Sequence, residues 1–115
     1  MAFTNAALNA ATNGLLAAYP FLSLHSADPG STGASETSAA RTNPGWPAAS
    51  GSGDSTVSNV ALTGVAANGA VTFFGLWSAA TGGTFGGGFP LTGDQTANSA
   101  GAYTVTLATV NATAT

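Results

Sequence analysis

"FFGLWSAATGGTFGGG", residues Phe73 to Gly88, passes from bulky aromatics into a run where nearly every side chain is glycine, alanine or threonine. Strand alternation sorts the region around its first half onto two faces. Val71, Phe73 and Trp77 share one, with Gly75 between them, and Thr72, Phe74, Leu76 and Ser78 share the other. Both faces carry large apolar groups, which predicts a central strand of a two-layer structure and not a sheet edge. Phe73 and Trp77 are therefore assigned to the core. The second half lacks the side chains that decorate a sheet. Glycine inside a strand marks a bulge, a bend or a close backbone approach, so Gly86, Gly87 and Gly88 are expected at a corner or at a tight contact between subunits.

Outward from this stretch the pattern stays β. "VSNVALTGV" precedes a turn at Ala67-Asn68-Gly69, a second turn falls at Thr81-Gly82-Gly83, and "AYTVTLATV" follows a polar loop at 92–101. Four short strands thus succeed one another with turn chemistry between them. In the last, Tyr103, Val105 and Leu107 are expected to face inward, opposite Thr104, Thr106 and Ala108. Near the N-terminus, Leu8, Ala11, Leu15 and Tyr19 recur at three- and four-residue steps, and Asn5, Asn9 and Asn13 form a second stripe, predicting a helix over 4–19. Thr4 or Asn5 can cap it, and Pro20 ends it. Gly14 costs that helix about 1 kcal/mol against alanine, so it depends on docking to a sheet. "FLSLHSADPG" reads as a strand ending in His25, then a turn at Asp28, Pro29 and Gly30. Residues 30–56 show no period and read as an extended loop or arm, either flexible or held by a partner, with Trp46 its one large anchor. The expected fold is mainly β: an antiparallel β-sandwich with one short N-terminal α-helix and a long Gly/Ser/Pro-rich loop, in a single domain over 1–115.

The chain has 115 residues, of which 44% are hydrophobic and 4% charged. Its only formal charges are Asp28, Glu36, Arg41, Asp54 and Asp94, giving a net charge of -3. With one arginine and no lysine, phosphate neutralisation has almost nothing to work with, so nucleic acid is set aside as a partner. No run approaches the roughly 20 apolar residues of a membrane-spanning helix, and membrane is set aside too. A surface of Ser, Thr, Gly, Asn and Ala suits a protein packed against copies or partners. There is no cysteine, which removes disulfides and thiolate metal sites.

Catalytic chemistry is thinly supplied. His25 is the sole histidine; Asp28, three residues on, is placed to orient it, but a local hydrogen bond beside an Asp-Pro-Gly turn is the ordinary account of both. His25, Asp28, Pro29 and Gly30 are read as turn-forming residues, and no catalytic or metal-binding set is assigned. The acidic residues match no calcium or zinc spacing, and "GGTFGGG" matches neither phosphate-binding glycine pattern. No cofactor is expected. Trp46, an aromatic face among polar neighbours, has ligand contact as its alternative role, and Arg41, the sole cation, is expected to pair with Glu36 or with a partner's carboxylate.

"SLHSADPGSTGASE", "AAR" followed by Trp46, and "FFGLWSAATGGTFGGG" resemble the signatures of a family of small tailed-bacteriophage virion proteins, usually labelled tail-fibre or minor-tail proteins. The resemblance runs from the helix to about Leu91 and rests on Ser23, Leu24, His25, Asp28, Pro29, Gly30, Glu36, Arg41, Trp46, Gly75, Trp77 and the stretch from Gly82 to Phe85. Between Arg41 and Trp46 the chain has "TNPG" where the family carries a more strand-like stretch. The resemblance implies a structural virion component without enzymatic activity, assembled in the bacterial host cytoplasm. The chain lacks the heptads or repeated β unit of a fibre shaft, so a compact module added in many copies is expected, as a head decoration or a minor tail protein. Its partners would be copies of itself and a capsid or tail protein, with Arg41, Trp46, Gly86, Gly87 and Gly88 as the contact residues. The alternative function is a glycan- or host-receptor-binding module of a tail fibre, acting through Trp46.

Overall fold

The computed structural model describes residues 3–112. One α-helix and five strands follow in order: α1 (Asn5–Ala18), β1 (Phe21–His25), β2 (Asp54–Leu62), β3 (Phe73–Trp77), β4 (Phe85–Pro90) and β5 (Tyr103–Asn111). They make two antiparallel sheets, β1-β3-β4 and β2-β5. The protein is mainly β with one short helix, as the alternation and turn residues predict, and β3 is the central strand of its sheet. The succession of strands is not a meander, however. Only β3 and β4 form a hairpin. The turn at Asn68, where φ is +56°, does not return the chain onto β2. Residues 65–71 pair with the 95–101 loop instead, through Val65 N–H to Gly101 O, Asn68 N–H to Asn98 O and Val71 N–H to Gln95 O, and so carry the chain from one sheet to the other.

The helix is built and held as its two stripes suggest. Thr4 is the N-cap, accepting from the Ala7 N–H, and Tyr19 closes the C-terminus ahead of Pro20. Leu16 is buried, with Leu15 and Tyr19 packed beside it. The asparagine stripe has a specific use: Asn9 Oδ1 accepts from Gly53 N–H and Asn13 Oδ1 accepts from Ala49 N–H, both at 2.8 Å. Thr12, fully buried, donates to Gly53 O at 2.6 Å and accepts from Ala112 N–H at 3.1 Å. The helix is thereby fastened to the start of β2 and the end of β5.

One cluster of buried side chains joins both sheets and the helix: Leu22, Leu24, Phe74 and Leu76 from the three-stranded sheet, Leu62, Val105, Ala108 and Val110 from the other, and Leu16. The β3 side chains in this cluster are Phe74 and Leu76; Phe73 and Trp77, assigned to the core from sequence, are half-buried on the opposite face. In β5, Tyr103 and Val105 are buried as expected, but Leu107 is 64% exposed. The cause is a change of phase shared by both strands of the ribbon. Buried or half-buried positions run 55, 57, then 60, 62 in β2, and 103, 105, then 108, 110 in β5. At the break Asn59 has a φ of +54°, and the Asn59 and Thr106 rung drops out of an otherwise unshifted ladder. A left-handed residue turns the strand, and its partner follows.

Residues 26–53 contain no helix or strand; the extended loop expected over 30–56 ends at Gly53, because β2 already begins at Asp54. Their own chain holds them. Thr42 and Leu22 exchange backbone hydrogen bonds in an isolated bridge, His25 bridges Glu36, Thr37 N–H reaches Leu24 O, and Ser38 Oγ reaches Gly64 O. Composition reports propensity, and these bonds are long-range, so the loop's anchoring had no local signature.

Candidate functional site

Most of the residues that carried the family resemblance converge on the face of the three-stranded sheet opposite the core; Leu24 belongs to the core and Trp46 lies beside α1. Antiparallel register sets Phe21 beside Trp77, Ser23 beside Gly75 and His25 beside Phe73. Ser23 and His25 are two apart on one strand and so share that face; both are fully buried. A chain of hydrogen bonds runs through them. Trp77 Nε1–H donates to Ser23 Oγ at 3.0 Å, and Ser23 Oγ lies 2.7 Å from His25 Nε2. His25 Nδ1 lies 2.8 Å from Ala34 O. A carbonyl can only accept, so Nδ1 carries the proton and Nε2 accepts from the Ser23 hydroxyl. Burial holds the His25 pKa below its ordinary 6.5, against an opposing pull from the Ala34 hydrogen bond and Glu36.

Gly75 is bare because this pair lies across it. A Cβ there would stand 2.7 Å from His25 Nε2, 2.8 Å from Ser23 Oγ and 2.9 Å from the Phe85 ring. Phe85 packs edge-on against both His25 and Trp77, at centroid distances of 5.9 and 5.1 Å.

The turn after β1 closes over this layer. Asp28 Oδ1 accepts from Gly30 N–H at 2.9 Å, so the aspartate serves its own turn and not the imidazole, which Ala34 orients. Pro29 is buried, its carbonyl accepts from Gly33 and Ala34, and its ring lies where a Cβ on Gly88 would come within 2.3 Å. Arg41 completes the cover. Its guanidinium makes a two-pronged ion pair with Glu36, at 2.8 and 2.9 Å, and donates to Ala79 O and Gly82 O at 3.0 and 2.7 Å. It also sits 3.7 Å from the centre of the Trp77 ring. The planar fork and the stacking are both arginine properties that lysine lacks. One side chain thus ties the 36–41 segment to the turn between β3 and β4.

Chemically this cluster is closed. The Ser23 and His25 pair has the two groups a hydrolase uses, but with no exposed atom no substrate reaches it. The remaining acids are also occupied locally: Asp94 accepts from Thr96 N–H, and Asp54 from the Asn111 amide. Among the described residues no three metal-ligating side chains gather.

The expected contact residues are placed as follows. Arg41 is spent within its own chain. Gly86 has Tyr19 over it, where a Cβ would meet the ring at 2.7 Å, and Gly88 has Pro29, so both make room for the chain's own side chains; Gly87 faces open space. Trp46 is half-buried, its indole N–H donating to Pro20 O at 3.1 Å, and lines an open cleft beside α1. Sequence reasoning overlooked Gly33, whose Cβ would strike the Trp77 ring at 2.5 Å, and Ala34, and it gave Phe85 no packing role. The alternation of Ser23 and His25 against Gly75 was a usable signal for the hydrogen-bond chain; the role of Ala34 had none.

A family model described as "Podophage GP4 fiber I protein gp80" matches residues 2–113. Comparison with curated proteins and with solved structures returned no match.

Proposed function

The chain belongs to the family described as podophage GP4 fiber I protein gp80, and is thus a phage tail-fibre virion component; from that premise we propose that it is a non-enzymatic structural module which enters the fibre in several copies, joined through open β edges. The observation that carries this reading is the state of the strand edges. The outer edge of β1 is closed by Glu36, Thr37 and Thr42. Among the described residues, β4 has no backbone partner besides β3, and beyond the Ser50 bridge at Asp54 the β2-β5 ribbon pairs only with itself. Soluble monomers blunt such edges with lysine, proline or short length. Here the ribbon strands are nine residues each, and between Ser55 and Leu62 and between Tyr103 and Val110 neither carries a charge or a proline. The face of β4 at Gly87 is open as well.

A fibre module is preferred to a head decoration because the family description names a fibre. The sealed Ser23 and His25 pair supports a role without catalysis. Light scattering on purified protein over a range of concentrations tests the reading: a mass of two or more chains that grows with concentration is expected, whereas a strict monomer that also fails to co-purify with phage fibres would overturn it.

A further inference from the structure

Within an antiparallel ladder a residue's N–H and C=O point to one side, and successive residues alternate. Leu22 exchanges both bonds with Thr42, and Leu24 O accepts from Thr37 N–H, so Leu22 and Leu24 point to the closed outer side and Ser23 points to Gly75 in β3. Phe74 and Leu76 therefore point to β4, where Phe89 and Gly87 stand opposite them. Leu91 N–H, bonded to Thr72 O, keeps the same phase. Gly88, between Gly87 and Phe89, is left with both its N–H and its C=O turned outward, and among the described residues β4 has no strand partner on that side. Pro90, the next outward position, has no N–H to give. On the core face of the same strand, nothing lies within 4 Å of where a Cβ on Gly87 would stand. Phe89 lies on that face too, half-buried and stacked on Phe74 at 5.0 Å.

We propose that β4 pairs antiparallel with β4 of a second copy about a two-fold axis at Gly88. Gly88 of each chain then exchanges both bonds with its counterpart, since a hydrogen-bonded pair needs a donor and an acceptor from each residue, and Gly88 supplies both where Pro90 cannot. The same register sets Gly87 directly opposite the partner's Phe89, and Phe89 opposite the partner's Gly87, on the core face. Each ring thus covers the other chain's bare glycine, a cross-strand pairing that restores the contact glycine lacks. The strand carries no charge, so two copies meet without repulsion. A copy of this chain supplies both the donor and acceptor of Gly88 and the ring that fills Gly87, which an arbitrary extended peptide does not. Because the outer edge of β1 is closed by residues 36–42, the joined sheet has no further open edge, and growth through this contact stops at two chains. The pairing rests on the structural role proposed above and assigns one of its contacts.

Isotope-filtered NMR on an equal mixture of labelled and unlabelled protein tests it. Contacts are expected between the Phe89 ring of one copy and the Gly87 α-protons of the other. The Gly88 amide should exchange at least about tenfold more slowly where the dimer forms than on dilution, while the Gly87 amide, bonded to β3, stays protected in both. One short strand makes a small contact, so a Kd of roughly 0.1–1 mM is expected. In Leu107→Lys, whose change lies on the other sheet, the dimer should persist. The proposal is overturned if the chain stays monomeric at millimolar concentration, if it forms oligomers without the contact between Phe89 and Gly87 or with Gly88 exchange unchanged, or if Gly88 becomes protected only when another fibre protein is added. Oligomers joined elsewhere would leave the structural role standing; that role falls too only if the protein is a strict monomer that also fails to co-purify with phage fibres.

Discussion

At Gly75 only hydrogen leaves room for the Ser23 and His25 side chains, since three atoms would lie within 2.9 Å of an added Cβ. Gly75→Ala should therefore cost about 1–3 kcal/mol by overpacking, read from chemical denaturation. Gly14, in the middle of α1 with nothing within 4 Å, should behave oppositely: Gly14→Ala should add about 0.5–1 kcal/mol, through helix propensity and unfolded-chain entropy. His25 sets a pH dependence. The unfolded chain takes up a proton near the ordinary imidazole pKa of 6.5, while the folded chain, with its pKa lowered by burial, resists. Unfolding thus binds a proton, so the contribution is complete above 6.5 and is lost as pH falls through the folded pKa. The melting temperature should drop on acidification below about 6.5, before the carboxylates titrate, and His25→Asn should flatten that slope by removing the sole histidine. At this scale the sequence was partly legible: the bareness of Gly86 and Gly88 was plain, but that Tyr19 and Pro29 fill it was not, because such contacts join positions far apart in the chain.

At the scale of elements, the period-2 and helical patterns located β1, β2, β3, β5 and the helix, since each buries residues in a shared core and needs apolar residues at its own period; glycine-rich β4, with no buried position, was legible only from the turn residues before it. Pairing was less legible. The β2 and β5 partnership spans forty intervening residues or more, and the turn chemistry at Asn68 suits a crossing as well as a hairpin. Leu107 was misplaced for a related reason: alternation read from Tyr103 onward has no means to register a turn imposed at Asn59 on the other strand. The helix depends on Thr12, whose hydroxyl joins α1 to both ribbon ends. Thr12→Val keeps the shape, leaves the Gly53 carbonyl and the Ala112 N–H without that partner, and should cost about 1–3 kcal/mol, with early hydrogen exchange in α1 as its mark. On the ribbon's outer face, Thr106→Lys and Leu107→Lys should leave the melting temperature nearly unchanged, both sites being exposed, while lowering the mass seen by light scattering.

Over the whole molecule, which extends 46 × 26 × 23 Å, there are five charged side chains and the motif cluster is closed, so the proposed assembly rests on backbone edges. Most of the residues that carried the family resemblance, Leu24 and Trp46 apart, serve to fix the 26–42 segment over a three-stranded sheet, and so maintain the shape of the unit. On the function proposed, contact between units falls instead to β2, β4 and β5. Amide hydrogen exchange of the chain diluted to a monomer, set beside the chain in assembled fibres, tests this most directly. Outward-facing amides of these three strands should exchange quickly in the monomer and become protected on assembly, with β1 unchanged. Equal exchange in both states along β2, β4 and β5 would contradict the account.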